Sequence, residues 1–484
     1  MRLANLFLIF LALAALPLFA ADDDARFELK VHKNLDYTGG RVTINHSFGD
    51  VVLRTHEGSQ VLVRATIRSS DDDLGKAIRV NMTEGAAGVS ITTVYPEIRS
   101  RRGHLSYSVD MTVTVPASAP ITAKNQFGNI DARGLQASSR LENKQGGIDF
   151  HGGRGSHSLA NSFGSIDVGD HIGDLTLANQ NGSINARGVN GNLTAANRFG
   201  SVNVTDVKKS ATIANANGSV EVMDIDGALT VNNAFGNVEA STIGGTATIT
   251  AANCQVELSN VGGTATVRNS FGSVVANTIG GALSVSGDNS KIDATNVSGS
   301  ASIDTSFGGV TLRNINGAAN VTNNNGDIRA TDIAGALTAK TSFGGVIAER
   351  IRGAAAVDND NGSVTLRDVH SGVRVRTSFA GVILDGVSGA IDVKNSNGAI
   401  AVAGVRGTGC IPLSLRTDFS TIKVSLPQSA SYAVNATTSF GSIRSEFPVT
   451  TTGVTENSMK GAIGRGGCKL DLINSNGNIT IERD

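Results

Sequence analysis

Three sets of residues carry reactive groups at spacings that known chemistry uses. The first is a column of carboxylates: Asp131, Asp149, Asp167, Glu221, Glu239, Glu257 and Asp293 each stand four residues past a recurring Phe, Asn or Gln. Carboxylates in pairs serve as acid and base in polysaccharide cleavage, and stacked ones can hold divalent cations. Cleavage needs a cleft walled by long loops, and the segment 121–407 keeps too strict a residue count to supply one. The column also sits next to apolar positions, so it is expected to line a solvated face. The second set is the eight His, scattered without the spacing of a metal-binding pair; His151, His171 and His370 are expected at the surface. The calcium-binding nonapeptide with paired glycines and Asp is missing. The third set is the three Cys. Cys410 and Cys468 lie in the C-terminal region and are expected to form a disulfide, while Cys254 occupies a turn position as a small residue. No catalytic, metal-binding or cofactor-binding residue is assigned, and an enzyme is not expected.

The elements that must carry these groups are set by a period. Phe127, Phe163, Phe199, Phe235, Phe271, Phe307, Phe343 and Phe379 follow one another at 36 residues. Midway between them, from residue 181 onward, stand Asn181, Asn217, Asn253, Asn289, Asn325, Asn361 and Asn397. A count of 18 held without insertion over this length means that every unit takes an equivalent place in space, which is a solenoid. The residue after the landmark is Gly in most units, with Cys254, Ser290 and Ala380 as exceptions, so the backbone there needs positive φ or a close approach. An aliphatic residue follows eight past the landmark, from Val189 to Val405, and a second Gly recurs two residues later. Between these two turns apolar and polar residues alternate, rich in Val, Ile and Thr, as half-buried strands require.

The predicted fold is therefore all-β: a single-stranded parallel β-helix with 18-residue coils. Coils stacked at about 4.8 Å make a rod on the order of 75 Å long. Two residues before the landmark a column of Asn recurs, including Asn161, Asn179, Asn197, Asn215, Asn233, Asn269 and Asn323, with Thr305, Thr341 and Thr377 in gaps. Stacked amides at this spacing are expected to bond to one another along the axis as a structural ladder. For the landmark Phe column two arrangements compete. Rings turned inward on alternate coils fill a corner without overcrowding it, and this packing is the favoured expectation. Rings turned outward make an apolar ridge able to meet a repetitive partner.

Four regions follow. Residues 1–21 read as a signal peptide, with Arg2, an apolar stretch from Leu3 to Leu18, and small Ala20 and Ala21 before Asp22. That stretch is short for a membrane span, and no later segment is apolar for long enough, so no transmembrane segment is expected after cleavage. Residues 22–120 form a β-rich N-terminal capping region with a loop of Arg99, Arg101 and Arg102; 121–407 are the regular coils; 408–484 are irregular C-terminal coils and a cap. Forty-one basic and forty-two acidic residues leave no field to steer nucleic acid. The chain has no Trp, and its four Tyr lie outside the repeat, so sugar stacking platforms are lacking there.

The run Tyr107-Ser108-Val109-Asp110-Met111-Thr112-Val113-Thr114-Val115-Pro116, leading into Asn125-Gln126-Phe127-Gly128-Asn129-Ile130, resembles the entry into the bacterial putative-adhesin family of β-solenoid domains. The closing Leu470-Asp471-Leu472-Ile473-Asn474-Ser475-Asn476-Gly477-Asn478-Ile479-Thr480-Ile481 is similar to that family's last strands. The resemblance implies attachment or envelope scaffolding and carries over no catalytic residues. The functional expectation is an exported protein, in the periplasm or at the cell surface, that binds a surface, glycan or protein partner or associates with itself. A polysaccharide-binding or polysaccharide-active β-helix, and an envelope-sensing module that engages a protein through its ends, are the alternatives.

Overall fold

Period-two alternation with β-branched side chains commits the chain to strands. The computed structural model describes residues 26–97, 105–407 and 410–484, and among them one short helix, Asp72–Ala77, interrupts an otherwise all-strand chain. The signal peptide expected at 1–21 and the loop of Arg99, Arg101 and Arg102 lie outside the described residues.

Each regular coil holds two strands. The first ends on the landmark, as Leu193–Phe199 does, and the second follows after the turn, as Val202–Val207 does. Between residues 121 and 403 every strand pairs in parallel with its equivalent one coil away, 18 residues on: Leu193 with Ala211, Asn197 with Asn215, Phe199 with Asn217, Val202 with Val220. Three coils run through the turn as unbroken strands, Ala247–Val261, Ala265–Ile279 and Leu283–Val297, and two of these carry Cys254 and Ser290 where Gly is usual. The fold is thus a parallel β-solenoid. Its interior is narrow, because a coil turns few side chains inward; in the Leu193 coil they are Leu193, Ala195, Asn197, Val202, Val204 and Val207.

Three corners close each coil. At the first, Gly200 has φ +117, and a Cβ there would lie 2.4 Å from the carbonyl oxygen of Gly182 in the coil below. At the second, backbones approach closely: a Cβ on Gly335 would meet the Gly317 carbonyl oxygen at 2.6 Å. The third corner was not foreseen from the two-glycine pattern. Seven residues past the landmark the chain enters the left-handed region in every coil from Gly134 to Gly404, with φ between 52 and 74. Asp, Asn and Gly fill most of these positions, as that conformation prefers, but Thr242, Thr278 and Arg350 adopt it too, held by the coils on either side. This residue breaks the alternation, so the aliphatic residue after it turns inward again.

The ends depart from sequence order. Arg41–Asn45 and Val51–His56 lie directly under the first regular coil, while the later strands Gly88–Val94 and Tyr107–Pro116 form the coil outside them. Antiparallel strands then finish the stack: Gln60–Ser69 on Tyr107–Pro116, Phe27–Asp36 on Gln60–Ser69, and Arg79–Gly85 on Gly88–Val94. At the other end Cys468–Asn476 and Ile479–Arg483, the last strands of the sequence, fit between the coil of Leu413–Phe419 and the outer coil of Tyr432–Phe440. The hairpin Val449–Thr455 and Ser458–Ile463 packs antiparallel on that outer coil. Switching to antiparallel pairing stops further coils from adding at either end.

Replacing Gly200 with Ala forces a Cβ into the neighbouring backbone and is expected to cost about 2–4 kcal/mol. Gly85→Ala, where a Cβ meets nothing within 4 Å, is expected to be near neutral. Urea denaturation of the two variants against the parent chain measures the difference.

Candidate functional site

The inward Asn column sits at the corner before the landmark, and its amides bond differently from the ladder expected. In most coils Nδ2 donates to the carbonyl oxygen of a turn residue in the coil below: Asn161 to Gly146 at 2.8 Å, Asn179 to Gly164 at 2.9 Å, Asn197 to Gly182 at 3.1 Å, Asn215 to Gly200 at 3.2 Å. Asn323 reaches Gly308 at 2.8 Å and Asn269 reaches Cys254 at 2.9 Å, while Asn233 donates to Gly236 in its own turn. The turn carbonyls point into the corner and meet the amides before neighbouring amides can. Thr305 fills the same position with its hydroxyl on the carbonyl oxygens of Phe307, at 3.2 Å, and Ser290, at 3.4 Å.

With the corner occupied by Asn, the landmark side chain has no interior space. The packing favoured from the sequence is therefore not what forms: all eight rings, Phe127, Phe163, Phe199, Phe235, Phe271, Phe307, Phe343 and Phe379, stand on the outside, and Phe343 is 58% exposed. They make a straight ridge along the rod, with a landmark Asn between successive rings from Phe163 to Phe379. The ridge continues where the 18-residue count fails. Phe379 lies beside Asn397, Asn397 beside Phe419, Phe419 beside Asn476, and Asn476 beside Phe440, although Asn476 follows Phe440 in the sequence. At the opposite end Phe48 pairs with Phe127, and their rings stack at 4.9 Å with planes 2° apart. Tyr95 and Tyr107 meet Phe48 edge-on, each at 5.1 Å, and close the ridge there.

The carboxylate column faces solvent along the second strand of each coil. Arg54 forks onto Asp131, with Nη2 2.7 Å from Oδ2 and Nη1 3.1 Å from Oδ1. Burial pushes the Asp131 carboxyl up, but Arg54 and Arg133 outweigh it and hold it below the usual range. Asp149 meets His151 at 2.7 Å, and Asp167 accepts from Asn185, which accepts in turn from Asn203. Glu221, Glu239 and Glu257 stack on successive coils, exposed on a flat face. The leading Asp residues border a shallow depression of about 400 Å³. A broader groove of about 820 Å³ runs over the first strands of the leading coils, between Lys124, Glu142, Lys144 and Arg198 on a floor of Ala160 and Ala178. Neither depression is enclosed by loops. Among the described residues no three His, Cys, Asp or Glu gather as a metal site, and no helix is long and apolar enough to cross a membrane.

The His residues divide. His151 and His370 lie at the surface, but His171 is fully buried, against expectation. It stands eight past Phe163, the position held by Val189 in the next coil, and that inward station was the signal that marked it. Its ring packs 5.2 Å from His157 and 5.9 Å from Phe150, which is fully buried and lies 4.9 Å from His157. Burial lowers both imidazoles, His157 to about 4. His46, buried against Thr93 at 3.1 Å, is likewise lowered to about 4 by burial. Cys410 and Cys468 form a disulfide with Cα atoms 5.1 Å apart, tying the entry of the irregular region to its penultimate strand, and Cys254 is free and buried.

Fold and surface thus define a capped β-solenoid whose distinctive outward feature is a row of aromatic rings. Residues 334–482 match the family model described as Toastrack DUF4097, which agrees with the resemblance read from the sequence. Among solved structures, a putative cell adhesion protein from Clostridium sporogenes is similar at 9% identity, covering 44% of this chain and 99% of its own, with a TM-score of 0.20. No curated protein matches the chain.

Two outcomes follow from the buried polar groups. Asn323→Ala, which strips a carbonyl of its donor, is expected to lower stability by about 1–3 kcal/mol, and Asn323→Thr by less than about 1, since Thr serves at this position elsewhere. Denaturant midpoints decide it. The His rings have folded-state pKa values below their unfolded ones, so the unfolded chain takes up protons that the coils refuse. Stability is then level above about pH 6.5 and falls as pH drops toward 4, by up to about 3 kcal/mol for His157. The double variant His157→Leu/His171→Val, filling both positions as neighbouring coils do, is expected to flatten much of that fall when melting temperature is followed against pH.

Proposed function

We propose that this chain is an exported, non-catalytic β-solenoid that serves as an adhesin or cell-envelope scaffold, making contact through its repetitive faces. The observation that carries the reading is the aromatic ridge, which runs nearly the length of the rod, while the other large apolar side chains exposed on the surface, such as Met223, Ile347 and Ile383, stand singly. A soluble monomer rarely exposes so continuous an apolar strip without a use for it. Coils without loops leave flat sheets in place of a chamber, and flat sheets suit contact better than catalysis. The match of residues 334–482 to the Toastrack family supports the same reading. In the alternative, the groove over the leading coils receives a polysaccharide chain, through Lys124, Lys144 and Arg198 and the polar residues between them.

Protease treatment of intact cells that produce the chain, together with attachment and envelope-integrity assays on a deletion strain, tests the proposal. An adhesin is digested from outside and its loss abolishes attachment. An envelope scaffold is digested only after the envelope is opened, and its loss weakens envelope integrity. A deletion strain with normal attachment and a normal envelope rejects the reading, and release of reducing sugar from envelope polysaccharide by the purified chain rejects its non-catalytic part.

A further inference from the structure

We infer that the aromatic ridge is a zipper for a second copy of this chain, two rods lying side by side, ridge against ridge, about a two-fold axis across their length. The inference rests on the contact role proposed above and names its partner.

The spacing is the first argument. Rings on alternate coils stand about 9.6 Å apart, with a small Asn between them. An identical ridge shifted by one coil sets each of its rings into such a gap, about 4.8 Å from the ring on either side, within the 4.5–7 Å that aromatic pairs favour. The molecule already contains that pair: Phe48 and Phe127, on adjacent coils, stack at 4.9 Å with planes 2° apart. A partner must match the 9.6 Å repeat over most of the rod, and a second copy carries that repeat by construction.

The second argument is that spacing is kept where sequence order is not. In the C-terminal coils the strand Cys468–Asn476 enters from the end of the chain between Leu413–Phe419 and Tyr432–Phe440, and it brings an Asn to the ridge, so that Phe419, Asn476 and Phe440 continue the alternation. A copying of the 18-residue unit cannot produce this, because the unit is broken there. Membrane insertion would use apolar rings at any interval and calls for basic residues beside them. Beside most rings the residues are instead small and uncharged, as with Ser270, Ser306 and Ser342 before them and Ser273, Gly309 and Gly345 after; Arg198, 5.4 Å from the centre of the Phe199 ring, is the one basic residue that directly precedes a ring from Phe127 to Phe440, and Asp418 the one acidic residue. Such flanks let another flat sheet come close, and a net charge of −1 does not oppose the meeting of two copies.

Area is the third argument. From Phe127 to Phe440 ten rings stand between 38% and 76% exposed. At about 200 Å² for a whole side chain this offers on the order of 1,000 Å² per copy, above the ~800 Å² per partner of a standard stable interface.

Sedimentation of the purified full chain tests the zipper, with denaturant midpoints as a check on folding. The parent chain is expected to dimerise with a Kd in the micromolar range or tighter. Phe235→Ser/Phe271→Ser/Phe307→Ser is expected to raise that Kd by about 100-fold with an unchanged midpoint. A second variant, Asn253→Phe/Asn289→Phe/Asn325→Phe, fills the gaps with rings. A zipper loses its sockets and dimerises more weakly, whereas general apolar adhesion dimerises more tightly, which overturns the interleaved arrangement. A parent chain still monomeric at ~100 µM overturns the pairing, as does ring-dependent binding of that monomer to phosphatidylcholine vesicles. If the chain is monomeric while the deletion strain still loses attachment, the pairing fails and the contact role stands; a dimer beside a deletion strain with normal attachment and envelope shows the reverse.

Discussion

Everything in this molecule depends on the parallel hydrogen-bond ladder that locks each coil onto the next at 18 residues. Pairs such as Val202 with Val220 and Val220 with Val238 place every side chain above its own equivalent. A residue type that suits one coil is then judged repeatedly by the same neighbours, and one that fails is felt on both sides. Glycine at the landmark turn shows how narrow the tolerance is, since a Cβ at Gly200 meets the next backbone at 2.4 Å.

The same ladder decides where function can lie. Inward aliphatics and, in most coils, one amide fill the interior of the coils, and the landmark rings stand outside it. The leading coils depart from this, with the larger rings of Phe150, His157 and His171 packed inside. On the outer faces, ion pairs link coils: Arg350 forks onto Asp332 at 2.6 and 2.9 Å, and Arg367 reaches Glu349 at 3.0 Å, each across one coil. Such exposed pairs contribute little individually and mainly keep like charges from stacking on one another.

The solenoid itself was legible because its period leaves no alternative; alternation, turns and the 18-residue repeat are all visible in residue types. Direction at the corners was not. Alternation tells which residues share a face, but at a turn it loses phase, so the sequence did not reveal whether Phe or the Asn two residues earlier points inward. The left-handed residue seven past the landmark had a signal in its Asp, Asn and Gly, diluted by Thr242, Thr278 and Arg350. His171 was read by its chemistry instead of its station, and the station predicts burial. The order of the terminal coils left no trace in local pattern, because a strand paired with a neighbour far away in sequence looks like any other strand.

That order has a consequence for assembly. The final segment, Cys468 to Arg483, is sandwiched between coils made from residues that precede it. A ribosome delivers those earlier residues first, so the distal end must wait, held ajar, until Cys468 to Arg483 arrive and slide home. The Cys410–Cys468 bond then bolts the late arrival in place. A chain that lacks these strands leaves the outermost winding without a floor.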